Sequence, residues 1–531
     1  ELLLGDIEAA RATVQELSAA APNIKETLLQ RARVYQLEGD YKSAGRELTE
    51  LLYVVPNDQR VMMMLAAVQW RAGNTFQAQE YLEKIVAITP DNVRARKMLA
   101  QIELQQRNTS LALEMLEPLQ AEIGDDAEIL GLLAIADMQR GRGNIAMDRL
   151  RAAAELDPSD LRAIVQLAEG YVRTGEPQKA VELLAAYPVS TSAPFSRERV
   201  LMTAHRDLGN EAAATRVAAD LVEANGDNVD ALLIAARLFL SQEQFDAGRS
   251  VIEDAIRIAP GNSEARLMMA RLALQEDRFP AAEENFQAVF DVDSKNLMAS
   301  MGLAQAALER GDRGRALQLL ERTRLNHPDQ PAPALVLASQ YLEVGRTSDA
   351  VAVAESLANA DIQDLGVVRS IGRIFFAAGA MEQAETQFGA VMERAPEAVP
   401  VMLDMVRTLT AQGKHEDALA LTERAISADP ALVQAHVLQV LTMTSLGRVD
   451  AAEEKVTALA ERFPGEASVA LARGEVFAAG RKYDEAIAAY RDAEQAGAGL
   501  NAVLREVQLR IARGTDEEPA ARLVDWIAAN D

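Results

Sequence analysis

Small residues recur at 34-residue intervals along the whole of this 531-residue chain: Ala10, Ala44, Ala78, Ala112, Ala146, Ala180, Ala214, Gly248, Ala282, Ala316, Ala350, Ala384, Ala418, Ala452, Ala486 and Ala520. The register never slips across these sixteen positions. A fixed period of this length means one supersecondary unit used over and over, each copy packing only on its neighbours. It also fits the size, because a chain this long exceeds what a single hydrophobic core supports.

The punctuation between small residues defines the unit. Five residues before most of them stands a Gly (Gly5, Gly39, Gly73, Gly141, Gly175, Gly209, Gly311, Gly345, Gly379, Gly413, Gly447), where a helix ends and the chain turns. Twelve residues after them stands Pro, at 22, 56, 90, 158, 260, 328, 396, 430 and 464, which stops one helix and can open the next. Each unit therefore reads as helix, turn, helix, stop. Aromatics make up only 4% of the chain, and the abundant Ala, Leu, Glu, Arg and Gln lose little on entering a helix, so an all-α fold with few or no strands is predicted.

Twelve residues ahead of the second-helix Ala lies another small residue (Ala32, Ala66, Ala100, Ala134, Ala168, Ala236, Ala270, Ala304, Ala338), which lets paired helices approach closely. Leu65, Leu99, Leu133, Leu167, Leu201, Leu303 and Leu337 on the first helix, with Leu48, Leu82, Leu116, Leu150, Leu184 and Leu320 on the second, complete an apolar stripe on each. One helix pair cannot bury both sides of that stripe; stacked copies can.

This pattern resembles the tetratricopeptide repeat, and the turns Gly39-Asp40-Tyr41-Lys42-Ser43-Ala44 and Gly175-Glu176-Pro177-Gln178-Lys179-Ala180 look like its signature. The resemblance implies a right-handed superhelical solenoid of about sixteen repeats, continuous from 1 to 531, with a half repeat over 1–24 and full repeats from about 25 onward. Arg107, Glu243, Asp277, Arg481 and Thr515 replace the turn Gly, and Gly124, Ser192, Gly226, Ser294, Ile362 and Ala498 replace the stop Pro; those units are expected to be irregular. Pro188 and Pro194 predict an early helix stop and an irregular junction near 186–196. The opening half unit, and the apolar Leu523, Val524, Trp526 and Ile527 near the other end, with Val524 and Ile527 at core-type positions, read as the middle of a longer array.

A narrower resemblance lies in two long phrases, Tyr81 to Leu119 and Ala467 to Gly514 followed by Leu-Val-Asp-Trp-Ile, which are similar to the long tetratricopeptide lipoproteins of bacterial exosortase (PEP-CTERM) systems. That resemblance implies a scaffold for exopolysaccharide synthesis or export, periplasmic, associated with the outer membrane through a lipid anchor upstream of this segment, whose partners are proteins of the assembly machinery and an acidic polysaccharide. The repeat region of an outer-membrane polysaccharide export porin and a peptide-binding co-chaperone are the alternatives. The co-chaperone's carboxylate clamp is poorly matched: Lys97, Gln101, Leu132, Arg162 and Gln166 place Gln and Leu where Asn belongs.

Charge and chemistry narrow the function further. A net charge of −26 disfavours nucleic acid and anionic membranes as partners. The chain has no Cys, which removes disulfides and thiolate metal sites and leaves both a cytoplasmic and an exported location open. Apolar runs such as Val61 to Val68 fall well short of the ~20 residues of a spanning helix. The four histidines, His205, His327, His415 and His436, are scattered and read as surface or groove residues. Gly141-Arg142-Gly143 follows a helix, not a strand, and coincides with the periodic turn, so it is no dinucleotide loop. The run Asp516, Glu517, Glu518 reads as a solvated helix start. No catalytic constellation, metal set or cofactor motif emerges, and the expected class is a non-catalytic interaction scaffold.

In repeats of this type the first helix of each pair lines the concave groove. Two of its positions carry Arg repeatedly: Arg33, Arg237, Arg271, Arg373 and Arg407 at one, Arg60, Arg94 and Arg162 at the other. Arg outnumbers Lys 45 to 9, and a guanidinium grips carboxylates bidentately. These arginines either bind an acidic partner or pair with neighbouring acids, since Glu26, Glu128, Glu169, Asp230, Glu264 and Glu475 occupy the same positions elsewhere. Trp70, Met138 and Phe376 share a third position and serve either a stacked ligand or the core. Met62, Met63 and Met64 leave at most one side chain for the groove.

Overall fold

The structure, a computed structural model, describes residues 7–514 and 520–530, with side chains from residue 11. Gly5, Thr515 and the Asp516-Glu517-Glu518 run lie outside the described residues. Among those described, the chain is all-α: 31 α-helices and no strand. It divides into two compact units, residues 1–265 and 266–531. Within each, helices alternate as the 34-residue period requires. The helix Gln59–Arg71, for example, is followed by Thr75–Ile88, and Leu365–Ala377 by Met381–Arg394.

The turn between the two helices of a repeat is a hydrogen-bonded lock. The Asp40 N–H donates to the Tyr35 carbonyl at 2.9 Å and the Gly39 N–H to the Gln36 carbonyl at 3.3 Å, with Gly39 at φ +77°. This double bond with a left-handed residue is the Schellman arrangement, which satisfies carbonyls the helix end leaves open. It recurs at Gly413, where Lys414 N–H donates to Leu409 O at 2.8 Å. The expected irregularity of the turns without Gly does not occur: Arg107, Glu243, Asp277 and Arg481 hold φ of +63°, +57°, +56° and +59° and make the same bonds. Packing on both flanking helices overrides the local preference, and the unfavourable backbone geometry persists as strain. Replacing each of the four by Gly is accordingly expected to raise stability by about 0.5–1 kcal/mol, read as an upward shift of the urea midpoint. A fall in the midpoint for all four sinks that account.

Stops without Pro behave unevenly. The helix Thr347–Ala358, ahead of Ile362, is cut to 12 residues, and Glu494–Ala498 widens into a π-turn ahead of Leu500–Arg513. By contrast Glu211–Ala224 and Phe279–Val292 keep 14 residues ahead of Gly226 and Ser294. There Asn228 and Asn296 cap the next helix through their side-chain oxygens, so Pro is dispensable. The helix Pro177–Leu184 spans only 8 residues, and the next helix starts at Ser196.

Close helix approach rests on an exchange of side-chain volume. Ala32 and Leu48 are both fully buried in one cluster, as are Ala66 and Leu82 in the next. Where the first-helix position shrinks to Gly372 or Gly474, the facing residue grows to Phe388 or Tyr490, whose ring occupies the space a Cβ would take. Where it grows to Met202, the facing position is Ala218, and both are buried. In these pairs one side chain shrinks where the other grows, as close packing demands. One reading changes here. His436 is not a surface or groove residue: it is 6% exposed and its Nε2 lies 3.0 Å from the Pro430 carbonyl. Val524 and Ile527, at core-type positions, are 62% and 43% exposed.

Candidate functional site

Several consecutive first helices touch one another, as Val93–Gln105 does Ala127–Gln139 in the first unit and Pro331–Glu343 does Leu365–Ala377 in the second, while second helices pack on the flanking first helices. The first helices therefore form a wall. In the first unit that wall holds a hollow of ≈ 620 Å³ lined by Gln36, Gln59, Arg60, Met63, Met64, Ala67, Asn92 and Arg94. Asp58 accepts the N–H of Arg60 at 3.0 Å and Asn92 that of Ala95 at 3.0 Å, fixing where Gln59–Arg71 and Val93–Gln105 begin and hence where both arginines project. Arg60 and Arg94 are exposed, and neither forms an ion pair among the described residues. Met62 is buried and Met64 half-buried, while Met63, 9% exposed, joins Met64 in the lining. The result is an apolar floor between two unneutralised guanidiniums.

The register of this geometry coincides with known repeats. Sequence models of the tetratricopeptide repeat match residues 69–136, 241–289, 273–339 and 375–443, and a second model of the same repeat matches 201–263 and 445–501, together more than half of the chain. The chain is a tetratricopeptide-repeat protein. No curated protein matches it. A solved chain from Naa15/Naa10 bound to HypK-THB is similar over 98% of this chain and 96% of its own, at 12% identity and a TM-score of 0.38. A chain of the APC/C hetero-tetramer Cut9-Hcn1 is similar over 94% and 98%, at 14% identity and a TM-score of 0.35.

A tetratricopeptide array is a scaffold for protein–protein interaction and typically non-catalytic. In this one the structure separates the arginines that acids already hold from those left open. Arg237 pairs with Glu264 of the next first helix, so at that position the neighbouring-acid reading holds. Arg407 reaches Asp404 at 3.2 Å, and Arg162 lies 3.2 Å from Asp160. That hydrogen bond to Asp160 raises the Arg162 pKa above its ordinary value, although its side chain stays 83% exposed. Arg33, Arg271 and Arg373, like Arg60 and Arg94, are exposed without an acidic partner among the described residues. Arg373 borders a second hollow of ≈ 490 Å³ with Leu335, Val336, Ser339 and Ser370. Arg237 belongs to the first unit and Arg271 to the second, and Arg407 is engaged by Asp404.

The tetratricopeptide wall also uses residues that the periodic reading passed over. Arg369 donates to Asp404 at 2.7 Å, bridging two first helices, and no position-specific repeat pattern marks it. Lys97 is held by Asp126 at 3.6 Å and by Glu128, and Leu132 is buried, so the clamp-like set is not free to bind. Trp70 packs on the core and donates from Nε1 to Gln105 Oε1 at 3.0 Å; Met138 and Phe376 pack on cores likewise. Among the described residues no three His, Asp and Glu side chains are placed to hold a metal. Burial lowers the His205 pKa below its ordinary value. No described helix is long and apolar enough to cross a membrane.

Proposed function

We propose that this protein is an assembly scaffold that holds an acidic segment of a partner protein against the first-helix wall at Arg60 and Arg94. The observation that carries it is the hollow in which two arginines on consecutive first helices, neither in an ion pair among the described residues, flank Met63 and Met64. In a chain of net charge −26 an uncompensated pair of guanidiniums is a local exception, and a segment bearing carboxylates beside an apolar side chain satisfies both the charges and the floor. The likeness of Tyr81 to Leu119 and of Ala467 to Gly514 to exosortase-system lipoproteins supports exopolysaccharide synthesis or export as the setting, with a periplasmic, lipid-anchored location and a continuous array as parts of the same proposal.

Arg60→Glu/Arg94→Glu tests it. Against an acidic synthetic peptide containing Leu and Met, the variant is expected to bind at least about tenfold more weakly, the scale of losing one or two charge-assisted hydrogen bonds. Wild-type binding weakens with salt, because exposed charges are screened within about 8 Å at physiological ionic strength. Helicity stays unchanged, since both residues are exposed. Equal affinity of the variant and wild type rejects the site. Tighter binding of an acidic exopolysaccharide than of the peptide, lost in the same variant, moves the ligand from protein to polymer.

A further inference from the structure

One position of the 34-residue unit is put to different uses in the two halves of the chain. It is the residue that closes a second helix, next to the link that leads into the following repeat. In the second unit Arg394 and Arg462 hold it, and they donate from Nη2 to the Gln363 carbonyl at 2.9 Å and to the Pro430 carbonyl at 3.0 Å. Each thereby ties its own helix to the link of the preceding repeat, some 30 residues back.

In the first unit the same register places Val54, Ile88 and Leu156 there, and Ile123 closes the 15-residue helix that lies between the last two. An aliphatic side chain has no donor with which to make that bridge. These four are 54%, 52%, 50% and 48% exposed, and Tyr53, beside Val54, is 81% exposed. Single exposed apolar residues are ordinary, but the same structural position left apolar and open in four consecutive repeats makes a row. Around it Glu50, Glu83, Asp91, Asp125 and Glu155 are exposed, with no ion pair among the described residues. Lys84 and Arg151, on two of the same helices, are held by Glu80 at 2.7 Å and Asp148 at 2.8 Å. The edge is therefore apolar along its line and negative on its flanks. None of the row lines the hollow at Arg60 and Arg94.

We propose that this edge of the first unit docks a basic amphipathic helix of a partner protein. The apolar stripe of that helix covers the row, and its Lys and Arg side chains meet the flanking carboxylates. Packed helices stand about 8–10 Å apart, so four rungs span about 30 Å, the length of about 20 helical residues. A heptad rises about 10.5 Å, which offers one apolar position to each rung. The inference goes beyond the proposed function, because it calls for a partner of opposite charge on a different set of residues.

The probe is a fluorescein-labelled peptide of about 21 residues, three heptads of Leu, Lys and Ala with the leucines on one face. It is compared with a peptide of the same composition whose leucines are spread around the helix, each titrated against the full chain by anisotropy. The heptad peptide is expected to bind at least about tenfold more tightly, since both carry the same charge and only one can cover the row. Val54→Ser/Ile88→Ser/Leu156→Ser leaves the charge unchanged and abolishes the preference. Val54→Arg/Ile88→Arg/Leu156→Arg, which installs the side chain of Arg394 and Arg462, does so as well and serves if the first variant loses helicity. Glu50→Gln/Glu83→Gln/Glu155→Gln weakens the heptad peptide and flattens the salt dependence of its binding. Arg60→Glu/Arg94→Glu does not weaken it, so failure here and failure of the groove reading are distinguishable. Equal affinity for the two peptides, or a preference retained in a folded Ser variant, overturns the proposal. So does a wild-type dimer in sedimentation that the Ser variant turns into a monomer, which makes a second copy the occupant, or flotation with phosphatidylcholine vesicles that the Ser variant loses, which makes it a lipid surface.

Discussion

Deletion of residues 413–446, one whole repeat, is expected to leave a folded, cooperatively melting protein, whereas deletion of residues 413–429 is expected to abolish cooperative unfolding. The whole-repeat deletion joins Gln412 to Gly447, which keeps a Gly in the turn, and sets Val399–Ala411 against Val449–Arg462. The new contact is one the protein already makes: Val406 takes the place of Val440 opposite Val456, and all three are fully buried. Removing 413–429 instead deletes the second helix His415–Ala428 and places one first helix directly after another. Val406 and Leu409 then lose the Ala418, Leu421 and Ala425 face with which they share a core. Each large side chain uncovered costs about 1.5–3 kcal/mol, and a handful equals the ~5–15 kcal/mol that keeps a typical domain folded. Circular dichroism melts of the two deletions decide the matter; similar melts for both mean that nearest-neighbour stacking does not organise the fold.

A single added methyl group at Gly372 carries the second large effect. A Cβ there would lie 2.6 Å from Phe388 Cε1 and 2.9 Å from Cδ1, and Phe388 is 1% exposed with nowhere to retreat. Gly372→Ala is therefore expected to cost about 1–3 kcal/mol, the usual range for overpacking, despite the better helix propensity of Ala. Phe388→Leu alone leaves a void and also destabilises. The double variant recreates the Ala and Leu combination of Ala32 with Leu48 and recovers most of the loss, giving a coupling energy of about 1–3 kcal/mol in a double-mutant cycle. Additive losses show that the two positions do not exchange volume.

Much of this was legible in the residues themselves. The 34-residue register located the helix pairs, the left-handed turns and the short helix before Pro188, because Gly, Pro and small residues act through backbone geometry within a few positions of themselves. The 34-residue register also puts Arg60 and Arg94 at the same position of consecutive first helices. Sequence could not sort the arginines into held and open. Whether Arg237 finds Glu264, or Arg369 reaches Asp404, depends on partners 27 and 35 residues away and on the rotamers that bring them together.

Sequence by itself determined the repeating helix pair, its turns and its stripe of buried residues, all consequences of short-range backbone preferences and periodicity. Only tertiary structure decided which turns tolerate Arg107 or Asp277 in a left-handed conformation, which bulky residue fills the space at Gly372, and whether the residue closing a second helix bridges to a neighbouring link, as Arg394 does, or stays open, as Val54 does. Those outcomes depend on packing between elements distant along the chain, where close contact and enclosure outweigh what any single residue prefers.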